Sequence, residues 1–201
     1  MNNEEFVILF PMNALVVLCH PDRTSFNYQI AKIICETVVK ADGKITFHDL
    51  YSASIDPVLS ESELKRRYSF DEKIQEYMKE VQAADVLFFV HPDWWGQMPA
   101  LLKGWIDRVF RPGIAYDYLG EEFLPKQLVP LLKGRRGLAI CTTDAEDDGT
   151  PHPLKSIWEQ NIFKFCGIEG RARLLYSVWN ASAADRKEWL LSISAQTLGL
   201  F

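Results

Sequence analysis

Three polar stretches in this sequence each follow an apolar run, and together they hold most of the side chains suited to ligand binding or proton transfer. The first is His20-Pro21-Asp22-Arg23-Thr24-Ser25-Phe26-Asn27, the second Pro92-Asp93-Trp94-Trp95-Gly96-Gln97-Met98-Pro99, and the third runs from Thr142 to Thr150. Thr24, Ser25 and Asn27 place hydroxyl and amide groups ahead of a helical pattern, whose unpaired first-turn N–H groups and positive dipole end suit a phosphate. The same residue types are ordinary N-caps. No GxGxxG or GxxxxGK[ST] pattern decides between the two readings.

In the second stretch Trp94 and Trp95 offer flat aromatic faces, and Gly96 lets backbone approach a planar ring. Tryptophans belong to cores more often than to ligand sites. Two adjacent ones cannot both point inward from one strand, so at least one is expected in a cleft or in solvent. His20 and His91 each follow an apolar run and precede proline, which makes each a proton donor, a polar wall or a structural residue. Asp93 and Asp144 stand at strand ends, but no carboxylate spacing identifies glycosidase or metal chemistry, and no GxSxG is present. The run Asp144 to Asp148 reads as a solvated acidic loop.

The elements that would carry these stretches alternate. Ala14–Cys19, Lys44–Leu50, Asp85–Val90, Arg136–Cys141 and Arg171–Val178 read as strands, the central ones apolar throughout as in a sheet covered on both faces. Between them, apolar residues recur at helical spacing over Tyr28–Lys40, Asp71–Ala84, Leu101–Phe110, Leu154–Phe165 and Ala184–Leu198. Ser60 to Glu63 starts a charged helix, Tyr51–Pro57 reads as irregular, and Ile114–Lys133 is a long polar and aromatic excursion. This order implies an α/β fold with a doubly wound, parallel sheet of about five strands between two helical layers, flavodoxin-like in strand order. Ligands of such sheets bind at the carboxyl ends of the strands. The three polar stretches all lie there.

The composition narrows the function classes. With 201 residues and 48% hydrophobic content the chain is expected to form one domain over residues 13–201, behind an amino-terminal extension of residues 1–12 that lacks the basic region and cleavage site of a signal peptide. Lys+Arg 22 against Asp+Glu 27 gives a net charge of -5, which disfavours nucleic-acid binding. Cys19, Cys35, Cys141 and Cys166 have no metal-binding spacing, and no apolar run approaches the roughly 20 residues of a membrane helix. A cytoplasmic protein without membrane insertion is expected.

The three stretches, together with Asp49-Leu50-Tyr51, the run from Pro92 to Phe110 and Ala115-Tyr116-Asp117-Tyr118, resemble the NAD(P)H:quinone oxidoreductase family of flavodoxin-like fold. The resemblance implies a homodimeric flavoenzyme that passes a hydride from NADH or NADPH through flavin N5 to a small aromatic acceptor. It implies FAD, with FMN as the alternative. By motif, His20, Thr24, Ser25, Phe26 and Asn27 correspond to contacts of the flavin phosphate and ribityl chain. Pro92, Asp93, Trp94, Trp95 and Gly96 correspond to the ring wall, Thr142, Thr143 and Asp144 to the opposite flank, and Arg186 to the adenine end. Tyr116 and Tyr118 match an aromatic pair that closes over the substrate from the partner subunit, as catalytic residues of a shared site.

The sequence departs from the family pattern at three points. Asp144-Ala145 stands where the family usually has Gly-Gly, the aromatic loop reads Trp94-Trp95-Gly96 rather than a motif with the glycine one place later, and the following segment is shorter than in the animal enzymes of the family. The shortening removes a match for the tyrosine and histidine that stabilise reduced flavin, leaving His152 as the candidate catalytic replacement or as a plain loop histidine. A flavin-binding regulatory subunit of an ion-efflux system is the alternative function.

Overall fold

In the computed structural model, residues 11–66, 68–120 and 126–201 are described; most of the expected extension and Glu121, Glu122 and Pro125 of the excursion lie outside them. The chain runs β1 (Asn13–Leu18), α1 (Phe26–Lys40), β2 (Lys44–Asp49), a short α2 (Leu50–Ala53), α3 (Glu61–Arg66), α4 (Glu72–Ala83), β3 (Val86–Pro92) and α5 (Ala100–Val109). Then come β4 (Tyr116–Leu119), β5 (Gln127–Pro130), β6 (Arg136–Thr142), α6 (Pro153–Ser156), a π-helical continuation (Ile157–Lys164), β7 (Glu169–Leu175), a 3-10 turn (Val178–Asn180) and α7 (Ala183–Leu198).

Five strands pair in parallel in the order β2-β1-β3-β6-β7, the expected flavodoxin-like sheet. Strand alternation divides the apolar residues between two cores. Leu15, Val17, Leu87 and Phe89 face α4, α5 and the π-helical segment, where Trp105, Trp158 and Phe163 are fully buried. Val16, Leu18, Phe88 and Ile140 face α1 and α7 through Ile30, Ile34 and Ile193. β3 is buried at every position because both its faces and both its edges are covered.

Three expectations need correction. Tyr51–Pro57 is not wholly irregular, since Asp49 caps α2 by accepting from the Ser52 amide. The fifth strand begins at Glu169 and ends at Leu175, because Ser177 takes a positive φ of 50° that breaks extension. The excursion carries an antiparallel hairpin, β4 against β5. That hairpin stands at the amino ends of the sheet strands. Leu132, just past it, donates to the Cys166 carbonyl at the foot of β7.

Candidate functional site

At the carboxyl ends of the strands a cavity of about 350 Å³ opens among four loops. The loop after β1 gives it His20, Ser25, Phe26 and Asn27; the loop after β3 gives Pro92, Asp93 and Trp94; the end of β6 gives Thr142, Thr143 and Asp144. Arg186 reaches it from α7, and Val178 and Trp179 complete the wall. The last two come from a fourth loop, after β7, that the sequence reading missed.

The first loop is shaped by its own hydrogen bonds. Asp22 accepts from the Thr24 amide at 2.7 Å and from its hydroxyl at 2.8 Å, which draws the Thr24 side chain away from the cavity. Those two bonds hold the Asp22 carboxyl below its usual range. Ser25 is the N-cap of α1 and accepts from the Tyr28 amide, so the capping reading holds, while the open first turn still faces the cavity. Capping and anion binding use different amides of the same helix end. His20 is engaged through Nδ1 with the Asp22 amide at 3.0 Å, leaving Nε2 for a ligand.

Asn27 is buried and donates through Nδ2 to Thr142 Oγ1 at 2.8 Å, while its Oδ1 is buried with no partner. Asp93 behaves alike. Its Oδ2 accepts from Thr143 Oγ1 at 2.9 Å and contacts His152 Nε2 at 3.1 Å, and its Oδ1 is buried without a donor. Buried oxygens lacking a donor are costly. Both residues line the cavity.

The aromatic loop divides its residues. Trp94 lines the cavity at 39% exposure, whereas Trp95 is wholly exposed at the tip of a turn closed by the Trp94 amide on the Gln97 carbonyl. Trp95 takes φ 61° and Gly96 φ 73°, the left-handed pair of a tight turn. Gly96 therefore serves the turn. Neither residue lines the cavity. The two tryptophans do diverge, as adjacent residues must.

His152 caps α6, its Nδ1 accepting from the Leu154 amide at 3.3 Å; the ring proton therefore sits on Nε2 and is donated to Asp93. It lies outside the main cavity and lines a second one of about 360 Å³ with Asp147, Lys155 and Tyr176. His91 is a structural residue: Nδ1 donates to the Pro92 carbonyl at 2.7 Å, and Nε2 accepts from the Trp158 indole at 2.9 Å. Tyr116 and Tyr118 pack on each other, Tyr116 also on Phe165, at the opposite end of the sheet. Within one chain they do not meet the cavity.

The far end is rigid. Arg186 donates to the Val178 carbonyl at 2.8 Å and stacks on Phe26, with 5.3 Å from guanidinium to ring centre. The Trp179 amide donates to Asp144 Oδ1 at 2.7 Å and the Val178 amide to the Thr143 carbonyl at 3.1 Å. Asp144, which stands where the resemblance has glycine, is thus a fastener for the fourth loop. Cys19 and Cys141 are buried beneath the site, and burial pushes the Cys19 thiol up to about 12. Among the described residues there is no metal-binding cluster, and no helix is long and apolar enough to cross a membrane.

The comparisons agree with this architecture. A family model described as a flavodoxin-like fold matches residues 12–194. An uncharacterized NAD(P)H oxidoreductase of Haemophilus influenzae is 33% identical over 167 residues, covering 79% of this chain and 80% of its own. NAD(P)H dehydrogenase [quinone] 1 of Rattus norvegicus is 28% identical over 192 residues, covering 82% and 69%. Smu.1420 of Streptococcus mutans superposes with a TM-score of 0.80 at 32% identity, covering 92% and 98% of the two chains. By the extent of the family match and by strand order, the chain belongs to the flavodoxin-like fold family.

Proposed function

We propose that this chain is a flavin-dependent NAD(P)H:quinone oxidoreductase. The observation that carries the reading is the strand-end cavity with the first turn of α1 at one side, a flat Pro92–Trp94 wall at another, and two buried oxygens, Asn27 Oδ1 and Asp93 Oδ1, left without donors. The names of the rat and Haemophilus relatives support the donor and acceptor classes.

A bound flavin supplies the two-electron carrier chemistry, and the protein supplies position and polarity. The open amides of α1 with Ser25 and His20 hold the phosphate; Pro92 and Trp94 cover the ring. Thr142 and Thr143 set its depth through their bonds to Asn27 and Asp93. Thr24 and Gly96 act indirectly, by fixing the loops, and Trp95 stands at the exposed tip of the aromatic loop. His152 holds a proton on Nε2 one hydrogen bond behind Asp93, where it can meet charge that develops in the cleft.

FAD is the preferred cofactor and FMN the alternative. Support comes from the Arg186–Phe26 stack and from Trp179, 82% exposed beside the cavity, which together offer a place for a second base. The working unit is a homodimer in which Tyr116 and Tyr118 of one copy cover the cavity of the other, since the hairpin and the cavity lie at opposite ends of one sheet. Four free thiols are consistent with the cytoplasm.

Purified protein loaded with FAD or FMN is expected to be yellow, to bleach anaerobically with NADH or NADPH, and to regain colour on adding a quinone. Protein that stays colourless with both flavins overturns the proposal. Stable flavin binding without quinone turnover would favour the regulatory subunit.

A further inference from the structure

We infer that Asp93 recognises the imide edge of the ring bound in the cleft, its Oδ1 accepting the ring N3–H. This rests on the flavin reading above and adds a residue-specific contact to it. Asp93 lines the cavity, yet its side chain is only 10% exposed. One oxygen is fully committed: Oδ2 takes the Thr143 hydroxyl at 2.9 Å and the His152 Nε2–H at 3.1 Å. The other, Oδ1, is shielded from water and has no donor.

Such an oxygen costs free energy unless a donor meets it. The described neighbours do not provide one. His152 cannot turn to it, because its Nδ1 is held by the Leu154 amide. Thr143 cannot either, since its hydroxyl hydrogen goes to Oδ2 while its oxygen accepts from the Ala145 amide at 3.2 Å. Asp93 lines the cavity, so a ring bound there is the nearest source of that donor. The χ2 torsion of aspartate is soft, so a bound ring can draw Oδ1 toward the cleft; both oxygens swing together about the Cβ–Cγ bond, and the Thr143 and His152 contacts adjust with them.

The imide edge of an isoalloxazine presents acceptor, donor, acceptor in the order C2=O, N3–H, C4=O. A lone carboxylate oxygen matches its central donor and neither of its carbonyls. The aspartate thereby reads ring orientation, with the imide edge directed at the Asp93–Thr143 corner rather than out to solvent.

Equilibrium binding of the natural flavin and of its N3-methyl analogue to the apoprotein tests this without turnover. Wild type is expected to bind the analogue roughly tenfold or more weakly, the loss that follows from an unpaired buried acceptor. Asp93→Asn keeps a carbonyl oxygen for Thr143 and His152 and puts an NH2 where Oδ1 stood, so the preference for natural flavin should vanish or invert; Asp93→Ala should bring the ratio within about twofold of unity. A wild type indifferent to N3-methylation, or a preference unchanged in both variants, overturns the inference and leaves the flavin reading standing. A wild type that binds neither flavin removes both.

Discussion

Asn27 Nδ2 donates to Thr142 Oγ1 at 2.8 Å, joining the first turn of α1 to the end of β6 across 115 positions of sequence. Both side chains are buried, so the bond fixes the distance between the phosphate side of the cavity and its ring side. Asn27→Ala should cost about 1–2 kcal/mol of stability by leaving the Thr142 hydroxyl unpaired. It should also weaken flavin binding. Urea unfolding and flavin titration of the same variant read the two effects separately.

Trp95 holds φ at 61° with a bulky side chain wholly in solvent. That backbone conformation costs about 1–3 kcal/mol for a residue of this kind and none for glycine. Trp95→Gly is therefore expected to raise the melting temperature. Quinone turnover should fall at the same time, because in the proposed dimer this indole is available to contact the partner subunit. A variant that gains stability and keeps full turnover would show that Trp95 has no part in function.

The sheet was legible because β1, β3 and β6 are apolar on both faces and the helices between them keep strict amphipathic spacing. Three of the four cavity loops were legible for the same reason, each following a recognisable strand. The fourth was not. Glu169-Gly170 at the start of β7 lowers its strand signal, and extending the strand to Val178 placed Trp179 just past its end. The usable signal was Ser182 with Asp185, a capping pair that sets the start of α7 and so makes Tyr176–Ala181 a loop. The π-helical turn that brings Trp158 to His91 has no sequence signature, because it is imposed by packing against β3 and β7. Nor could spacing reveal the Asp93–His152 contact, which spans two loops.

Acid should unfold this protein through two histidines. Burial lowers His48 to about 4, with the Lys73 charge adding to the effect, and burial lowers His91 to about 4 as well. His91 is neutral when folded and binds a proton more readily when unfolded, so stability is intact above about pH 6.5 and falls as pH drops toward 4, by about 3 kcal/mol. His48 adds less, because Glu80 Oε2 lies 2.7 Å from its Nε2 and favours the charged ring. Urea midpoints measured from pH 7.5 to 4.5 should show the decline, and His48→Gln should remove less than half of it. A flat profile in that window contradicts the buried, neutral assignment.

Tyr118 is 45% exposed on β4 and packs on Tyr116. Because the pair lies at the amino ends of the strands, Tyr118→Ala should leave flavin affinity unchanged while lowering turnover about tenfold, as loss of a positioning contact does. Mixing it with an Asn27→Ala variant should restore part of the activity, since half the sites in a mixed dimer would combine an intact cavity with an intact hairpin. Loss of flavin from Tyr118→Ala would place the hairpin against the cofactor instead.

Trp179 is held too firmly for a side chain that is 82% exposed. The Trp179 amide is bound by Asp144, the Val178 amide by the Thr143 carbonyl, the Ser177 amide by the Ala145 carbonyl, and Arg186 ties the Val178 carbonyl to α7. A cavity of about 350 Å³ lies at the small end of ligand sites, so a dinucleotide must lay part of itself on the rim where this indole stands. Stacking of a base on an aromatic side chain contributes about 1–3 kcal/mol. Trp179→Ala should then weaken FAD by roughly tenfold or more and FMN by less than about twofold, with Trp179→Phe recovering most of the loss. Equal losses for the two flavins would place the indole over the ring they share, and unchanged affinity for both would leave this rigid loop to serve the nicotinamide donor or the partner subunit.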